Sequence, residues 1–271
     1  MVKQSNRNQP AEPESEDDVA GAGSAAAASV LTLVKALSVI EAIAEADNPT
    51  VSQIATRVGL NRTTTHRLVQ TLRSCGYIQS APDERGFQIG LKVLPLAARQ
   101  LDGNAVRLAA LPHLSQLSQE TGERTNLGVL FNDSVLYLAG VEKPSLPNMY
   151  SRFGKLAPVH SCSLGKAILA FKPEAEARAL LVARPPVRQT TRTLVEVLEI
   201  LADLALTRDR GYAIDDGEHL PGVVCVAAPI RDAQSHSVAA ISVSGSNRNQ
   251  IIALASRVVD VAAVISHVLA R

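Results

Sequence analysis

Residues 48–82, NPTVSQIATRVGLNRTTTHRLVQTLRSCGYIQSAP, decide how this chain is read. The stretch holds no Asp or Glu, while Arg57, Arg62, Arg67 and Arg73 give it four positive charges. Val51, Ile54, Ala55 and Val58 fall on one face of a helix that starts near Ser52. Gly59 is a natural helix end, and Asn61 can cap the helix that follows. In that second helix Thr65, Leu68, Val69, Leu72 and Cys75 form the buried stripe. On a wheel of about 100° per residue the opposite face presents Thr63, His66, Gln70 and Arg73, flanked by Arg62 and Arg67. Short or forked donors and acceptors suit base edges and phosphates, and carboxylates, which repel phosphate, are absent. A solvated face without a DNA role more often mixes both signs of charge. The pattern is that of a helix-turn-helix on DNA.

Working outward, residues 77–80 and 87–89 read as two strands around a turn at 82–86, a hairpin placed as a wing. Arg85 at its tip either reaches a phosphate or the minor groove, or belongs to an exposed turn beside Asp83 and Glu84. The DNA-contact set is therefore Arg62, Thr63, Thr64, His66, Arg67, Gln70, Arg73 and Arg85. Upstream, Val30, Leu33, Val34, Leu37, Ile40 and Ala44 follow helical spacing from Ser29, and Asp47-Asn48-Pro49 stops that helix. Residues 1–28 carry few large apolar groups and include Glu12, Glu14, Glu16, Asp17 and Asp18. Such a segment buries too little to offset its ordering entropy, so a disordered tail is expected.

The 271 residues suffice for two domains, and 46% hydrophobic content suits a globular chain. Net charge is only +1, so the clue to nucleic acid lies in the distribution of charge rather than its sum. Cys75, Cys162 and Cys225 are widely spaced, which suggests neither a disulfide framework nor a zinc finger and fits a reducing cytoplasm. No apolar run has the length of a membrane span, and the polar N-terminus lacks the apolar core of a secretory signal.

Past the wing, residues 91–101 read as a linker helix with Pro95 in its first turn or kinking it, and 106–119 as a further helix. Period-two alternation at Leu127, Val129 and Phe131, then Val135, Tyr137, Ala139 and Val141, marks a hairpin turning at Asn132-Asp133. A strand is expected near 149–152. Helices follow at 163–171, 174–183 and 194–210, the last with a capping box of Thr193 and Glu196. Strands at 212–215, 223–229 and 238–244 precede a closing helix over 249–270. Strands flanked by helices without regular βαβ repeats imply an α+β domain. The layout is a tail at 1–28, a winged helix-turn-helix at 29–90, a linker helix at 91–104, and an α+β domain at 105–271.

One stretch of that second domain can carry chemistry. Residues 158–167, PVHSCSLGKA, lead from a strand into a helix. The backbone N–H groups of Ser163 and Leu164 at the helix start can bind a carboxylate, or Ser161 or Ser163 is an ordinary cap. His160, Cys162, Asp216 and Cys225 lack metal-ligand spacing on one element, so no metal is expected, and no cofactor. No P-loop, GxGxxG or GxSxG pattern is present, and nothing positive points to an enzyme.

Several motifs stand in order: SVIE (38–41), SQIA (52–55), TTTHRL (63–68), GKA (165–167), RGYAIDD (210–216), AAPIRD (227–232) and AAISVSG (239–245). Together they resemble the IclR family of bacterial transcriptional regulators over about Ser29 to Ala270. The resemblance implies a winged helix-turn-helix, a linker helix and a GAF-like α+β effector domain. It also implies a dimer or tetramer on an operator and a small organic or aromatic acid as effector. Repression is the commoner mode in the family, and activators share the architecture. Carried over by motif, the effector site comprises the helix-start amides of Ser163 and Leu164 with Asp215, Cys225, Ser242 and Ser244. Where the family often has a Glu, this chain has Gly217, which removes a carboxylate from that loop.

Overall fold

The computed structural model describes residues 16–142 and 153–270, apart from the side chains of 16–29. The strand expected near 149–152 lies outside the described residues. The chain divides into two compact units between Arg99 and Gln100. The division falls within a helix, α4 (Val93–Asp102), which buries none of its side chains.

The first unit contains α1 (Glu16–Ala44), α2 (Val51–Val58), α3 (Arg62–Ser74) and a hairpin of β1 (Ile78–Ser80) and β2 (Phe87–Ile89). Its core joins Val39, Ala42 and Ile43 of α1 to Ile54, Leu68, Val69, Leu72 and Ile78. Two expectations for α1 change. The helix begins at Glu16, inside the stretch read as a disordered tail. Residues 25–28 are all Ala, the strongest helix former, and the acidic residues 16–18 suit a helix N-terminus. Secondly, Val30, Leu33, Val34 and Leu37 are exposed, because α2 and α3 pack only on the turns around Val39–Ile43.

The turn chemistry follows the sequence. Thr50 and Gln53 cap α2 reciprocally, the Thr50 N–H donating to Gln53 Oε1 at 2.8 Å. Gly59 closes the helix at φ 66°. Asn61 Oδ1 accepts from the Thr64 N–H at 2.8 Å and starts α3. Thr65, Leu68, Val69 and Leu72 are buried as expected, but Cys75 is exposed, since α3 ends at Ser74 and the chain turns away. β1 and β2 pair antiparallel with Ile78 opposite Ile89. The Phe87 N–H also donates to the Pro49 carbonyl, tying the wing to the turn before α2.

The second unit begins with α5 (Ala105–Thr121), capped by Asn104. A six-stranded antiparallel sheet follows, in the order β5-β4-β3-β8-β7-β6. Its strands are β3 (Arg124–Phe131), β4 (Ser134–Val141), β5 (Leu156–Pro158), β6 (Ala213–Asp216), β7 (Val224–Arg231) and β8 (Ser237–Gly245). Between β5 and β6 lie α6 (Ser163–Ala170), α7 (Glu174–Ala183) and α8 (Val197–Arg210), and after β8 come α9 (Arg248–Ala253) and α10 (Ala255–Leu269). Strand alternation sorts the side chains. Val226, Ala228, Ala239, Ile241 and Val243 enter one apolar cluster with α5 and α10. Val135, Tyr137, Ala213, Ala227 and Ala240 enter the other with α6, α7 and α8. Each fully buried Leu or Ile contributes roughly 1.5–3 kcal/mol, which is why the inner strands carry apolar side chains on both faces.

Two helix boundaries differ from expectation. The closing helix is broken at Leu254 into α9 and α10. Thr193 and Glu196 form no capping box: α8 starts after Glu196, which makes no side-chain cap bond. Thr193 is buried and has another task. Its Oγ1 accepts from the Gln189 and Thr190 N–H groups and donates to the Glu218 carbonyl at 2.7 Å.

Candidate DNA interface and effector cavity

On α3 the side chains of Arg62, Thr63, His66, Arg67 and Arg73 are exposed, and those of Thr64 and Gln70 half-buried. They form one outward surface because Thr65, Leu68, Val69 and Leu72 hold the other side of the helix in the core. His66 and Gln70 meet one turn apart, ring Nε2 to amide Nε2, at 3.4 Å. Arg85 is exposed at the hairpin turn, whose N–H is held by the Asp83 carboxylate. Arg57, the other cation of the acid-free stretch, pairs with Glu45 at 3.1 Å and so stands apart from the α3 surface.

In the second unit the strand register builds a site at one end of the sheet. Asp215 lies opposite Cys225, and Cys225 opposite Ser244, in one row across β6, β7 and β8. In a neighbouring row Ser242 stands between Ala227 and Asn126 of β3. Side chains two apart share a face, so Ser242 and Ser244 both point toward α6. The start of α6 closes the space. Its N-cap is Cys162, whose Sγ accepts from the Gly165 N–H at 3.4 Å, rather than Ser161 or Ser163. Gly165 permits the approach: a Cβ there would stand 2.2 Å from the Val159 carbonyl oxygen.

The result is a narrow cavity with only about 10 Å³ of free space, lined by Tyr137, Cys162, Ser163, Asp215, His219, Leu220, Val223, Cys225, Ser242 and Ser244. Five of the six expected effector residues line it. Leu164 does not: its side chain is buried in the apolar cluster between α6 and the sheet, against Gly128 of β3. Only its backbone remains for the role given to it. Asn126 Nδ2 donates to Ser242 Oγ at 3.3 Å and Ser244 Oγ at 3.4 Å, orienting both hydroxyls. Asp215 is 2% exposed, and its Oδ1 accepts from the N–H groups of Glu218 and His219 at 2.8 and 3.2 Å.

Beside the cavity sits a buried ion cluster. Lys166, 2% exposed, pairs with Glu218 at 2.6 Å and Asp203 at 2.8 Å. Burial opposes its charge, but the two carboxylates outweigh that and hold its pKa above the ordinary value. For Glu218 the balance is reversed. Burial lifts its pKa to about 7 despite Lys166, helped by Asp215 and Asp203. One ammonium cannot fully compensate several neighbouring acids. His160 is held by the Val187 carbonyl at 3.1 Å in a separate crevice, its pKa lowered by burial and then by Lys166. Asp216 pairs with Arg192 and Arg248. His160, Cys162, Asp216 and Cys225 thus do not converge.

The sequence matches two family patterns. Residues 98–267 match the bacterial transcriptional regulator IclR C-terminal domain, and residues 32–82 match the IclR helix-turn-helix domain. The chain belongs to the IclR family of transcriptional regulators. It is 32% identical over 216 residues to the HTH-type transcriptional regulator XynR of Escherichia coli, covering 79% of this chain and 86% of that one. It is also 32% identical over 219 residues to the transcriptional repressor IclR of the same organism, covering 80% of each. Among solved structures, an IclR homologue from Microbacterium hydrocarbonoxydans complexed with 4-hydroxybenzoate superposes with a TM-score of 0.74 at 26% identity, over 88% of this chain and 98% of that one. The relatives are named as transcriptional regulators. Among the described residues no helix is long and apolar enough to cross a membrane.

Asn126, Tyr137 and His219 are cavity features that local reading of this IclR-family chain does not find. Asn126 had a signal, a buried polar residue just before the apolar run of β3. Lys166 had one too: it is the sole charge in a buried apolar helix. Neither signal names a partner.

Proposed function

We propose that the protein is a cytoplasmic, ligand-responsive repressor. It stands on its operator as a dimer or tetramer, and a small organic or aromatic acid in the second unit alters its affinity for DNA. The observation that carries this reading is the pairing, in one IclR-family chain, of an acid-free cationic recognition face with an enclosed polar cavity. The cavity's chemistry suits an acid: the N-terminus of α6, with no acidic residue in its first turn, faces the hydroxyls of Ser242 and Ser244. A relative named as a repressor and another solved with 4-hydroxybenzoate support the sign of regulation and the ligand class.

Self-association is supported by apolar side chains left open on the first unit. Val30, Leu33, Val34 and Leu37 of α1, with Leu91, Leu94 and Leu96, are all more than half exposed. A second copy would cover them and present two recognition helices to a two-fold site. Coupling of about 1–3 kcal/mol between acid and operator gives a 5–150-fold change in affinity.

The test is binding of fluorescent DNA fragments from the protein's own upstream region, titrated with salt, with and without a panel of small acids. Arg67→Ala should flatten the logarithmic salt slope by about 0.9 per protomer if Arg67 meets a phosphate. An unchanged slope removes that role. If no acid changes either operator affinity or thermal stability, the effector reading is wrong.

A further inference from the structure

Residues 217–222 form a wall between two spaces. On the inside, His219 and Leu220 line the effector cavity. On the outside, Gly217, Pro221 and Gly222 line an open crevice with Thr190, Arg192 and Arg248. A glycine stands at each end of the wall, and the Gly217 N–H donates to the Val223 carbonyl at 3.0 Å, closing its base. Gly217 and Gly222 have φ of 75° and 73°, values glycine adopts without strain, and neither is crowded by neighbouring atoms. The wall also has room to swing, because the crevice outside it is solvent-open.

We propose that residues 217–222 are a lid on the effector cavity, and that the buried side chain of Glu218 is the latch that holds it shut. The proposal rests on the effector-site reading given above. Several bonds fix the base of the segment: Asp215 accepts from the Glu218 and His219 N–H groups, while Thr190 and Thr193 donate to the Gly217 and Glu218 carbonyls. Glu218 Oε1 adds a further side-chain link, to Lys166 on α6. Its other oxygen, Oε2, is buried with no hydrogen-bond partner.

The surroundings give the latch a pH sense. Facing Glu218 are Lys166 from α6, Asp203 from α8 with Arg210 at 4.0 Å behind it, and Asp215 from β6. His219 adjoins it on the lid, and Arg188 and Arg192 lie on the turn that carries Thr193. A proton on Glu218 relieves the excess of carboxylate, so the closed lid binds that proton more tightly than the open, solvated one. Closure is therefore favoured below neutral pH and loosens above it. The crevice mouth, where two guanidinium groups share the single carboxylate of Asp216, retains one positive charge to draw an anion toward the lid.

Cys225 lines the cavity and is half-buried there, so a rise in its alkylation rate above that of wild type reports opening without any effector. In the full chain carrying Cys75→Ser, alkylation of Cys225 by iodoacetamide is followed by mass spectrometry. Glu218→Ala should label about ten times faster or more, the loss expected for a buried hydrogen bond to a charged group. Glu218→Gln, which keeps the bond and carries no charge, should label at or below the wild-type rate. Equal rates for wild type and the Ala variant overturn the latch. So does a Gln variant as fast as the Ala variant. Labelling that rises with urea as steeply as global unfolding also overturns it. A latch that behaves as expected in a protein that binds no acid would leave the lid and remove the effector, so the two failures are separable.

Discussion

Replacing Lys166 by Met tests the buried cluster most directly. Met matches the unbranched stem of Lys, so packing against α8 and the sheet is largely kept while the charge is removed. Asp203 and Glu218, held at 2.8 and 2.6 Å from the ammonium, would lose their shared cation. Arg210, 4.0 Å from Asp203, offers only partial replacement. Breaking a buried pair from one side costs about 3–5 kcal/mol. For a unit of this size that is a Tm lower by roughly 6–20 °C. The cost must depend on pH. At about pH 8 the variant has to bury ionised carboxylates without a cation. At about pH 5.5 Glu218, whose pKa is raised to about 7, carries a proton and needs none, so the penalty shrinks. Calorimetry of the full chain at the two pH values reads both effects. A Met variant as stable as wild type at the higher pH, or equally penalised at both, would refute the reasoning.

Glu218→Gln isolates the same carboxylate from the other side. A carboxyl group whose folded pKa is raised lends stability that is complete below its unfolded value, 4.5, and is lost as pH rises toward about 7. Wild type should therefore lose urea resistance relative to the Gln variant across that window, and parallel curves would show that Glu218 does not titrate there. Gly165→Ala drives a Cβ to 2.2 Å from the Val159 carbonyl, a backbone atom that cannot swing away. Its expected cost is about 1–3 kcal/mol with displacement of the start of α6. Acid binding should fall while DNA binding by the first unit persists, and a variant with unchanged Tm and acid affinity would contradict the close packing.

The parts of the protein that were legible in its sequence are local ones. Asn61 as a cap, Gly59 as a helix end, the buried stripe of α3 and the wing hairpin each depend on residues within a few positions of one another. Their signals therefore survive without knowledge of the fold. The same locality explains the misreadings. Thr193 and Glu196 have the spacing of a capping box, yet Thr193 is drawn into a bond with Glu218 that no local pattern contains. The apolar spacing of α1 is genuine, but which of its turns is covered depends on where α2 and α3 end up.

The effector cavity divides along the same line. Family motifs point to Ser163, Asp215, Cys225, Ser242 and Ser244, and strand period puts both serines on one face. Only the sheet register sets Asn126 beneath them, 116 residues from Ser242. Likewise, only the packing of α6 against α8 and the loop after β6 brings Lys166 to Glu218, 52 residues along the chain. By itself the sequence determined a cationic helix-turn-helix and a second, α+β domain with a helix-start site, because period, capping and charge act over short separations. Tertiary structure alone decided that a buried lysine and glutamate meet at the edge of a closed cavity. That meeting depends on burial and on pairings between distant strands and helices, whose energies do not exist until the chain has folded.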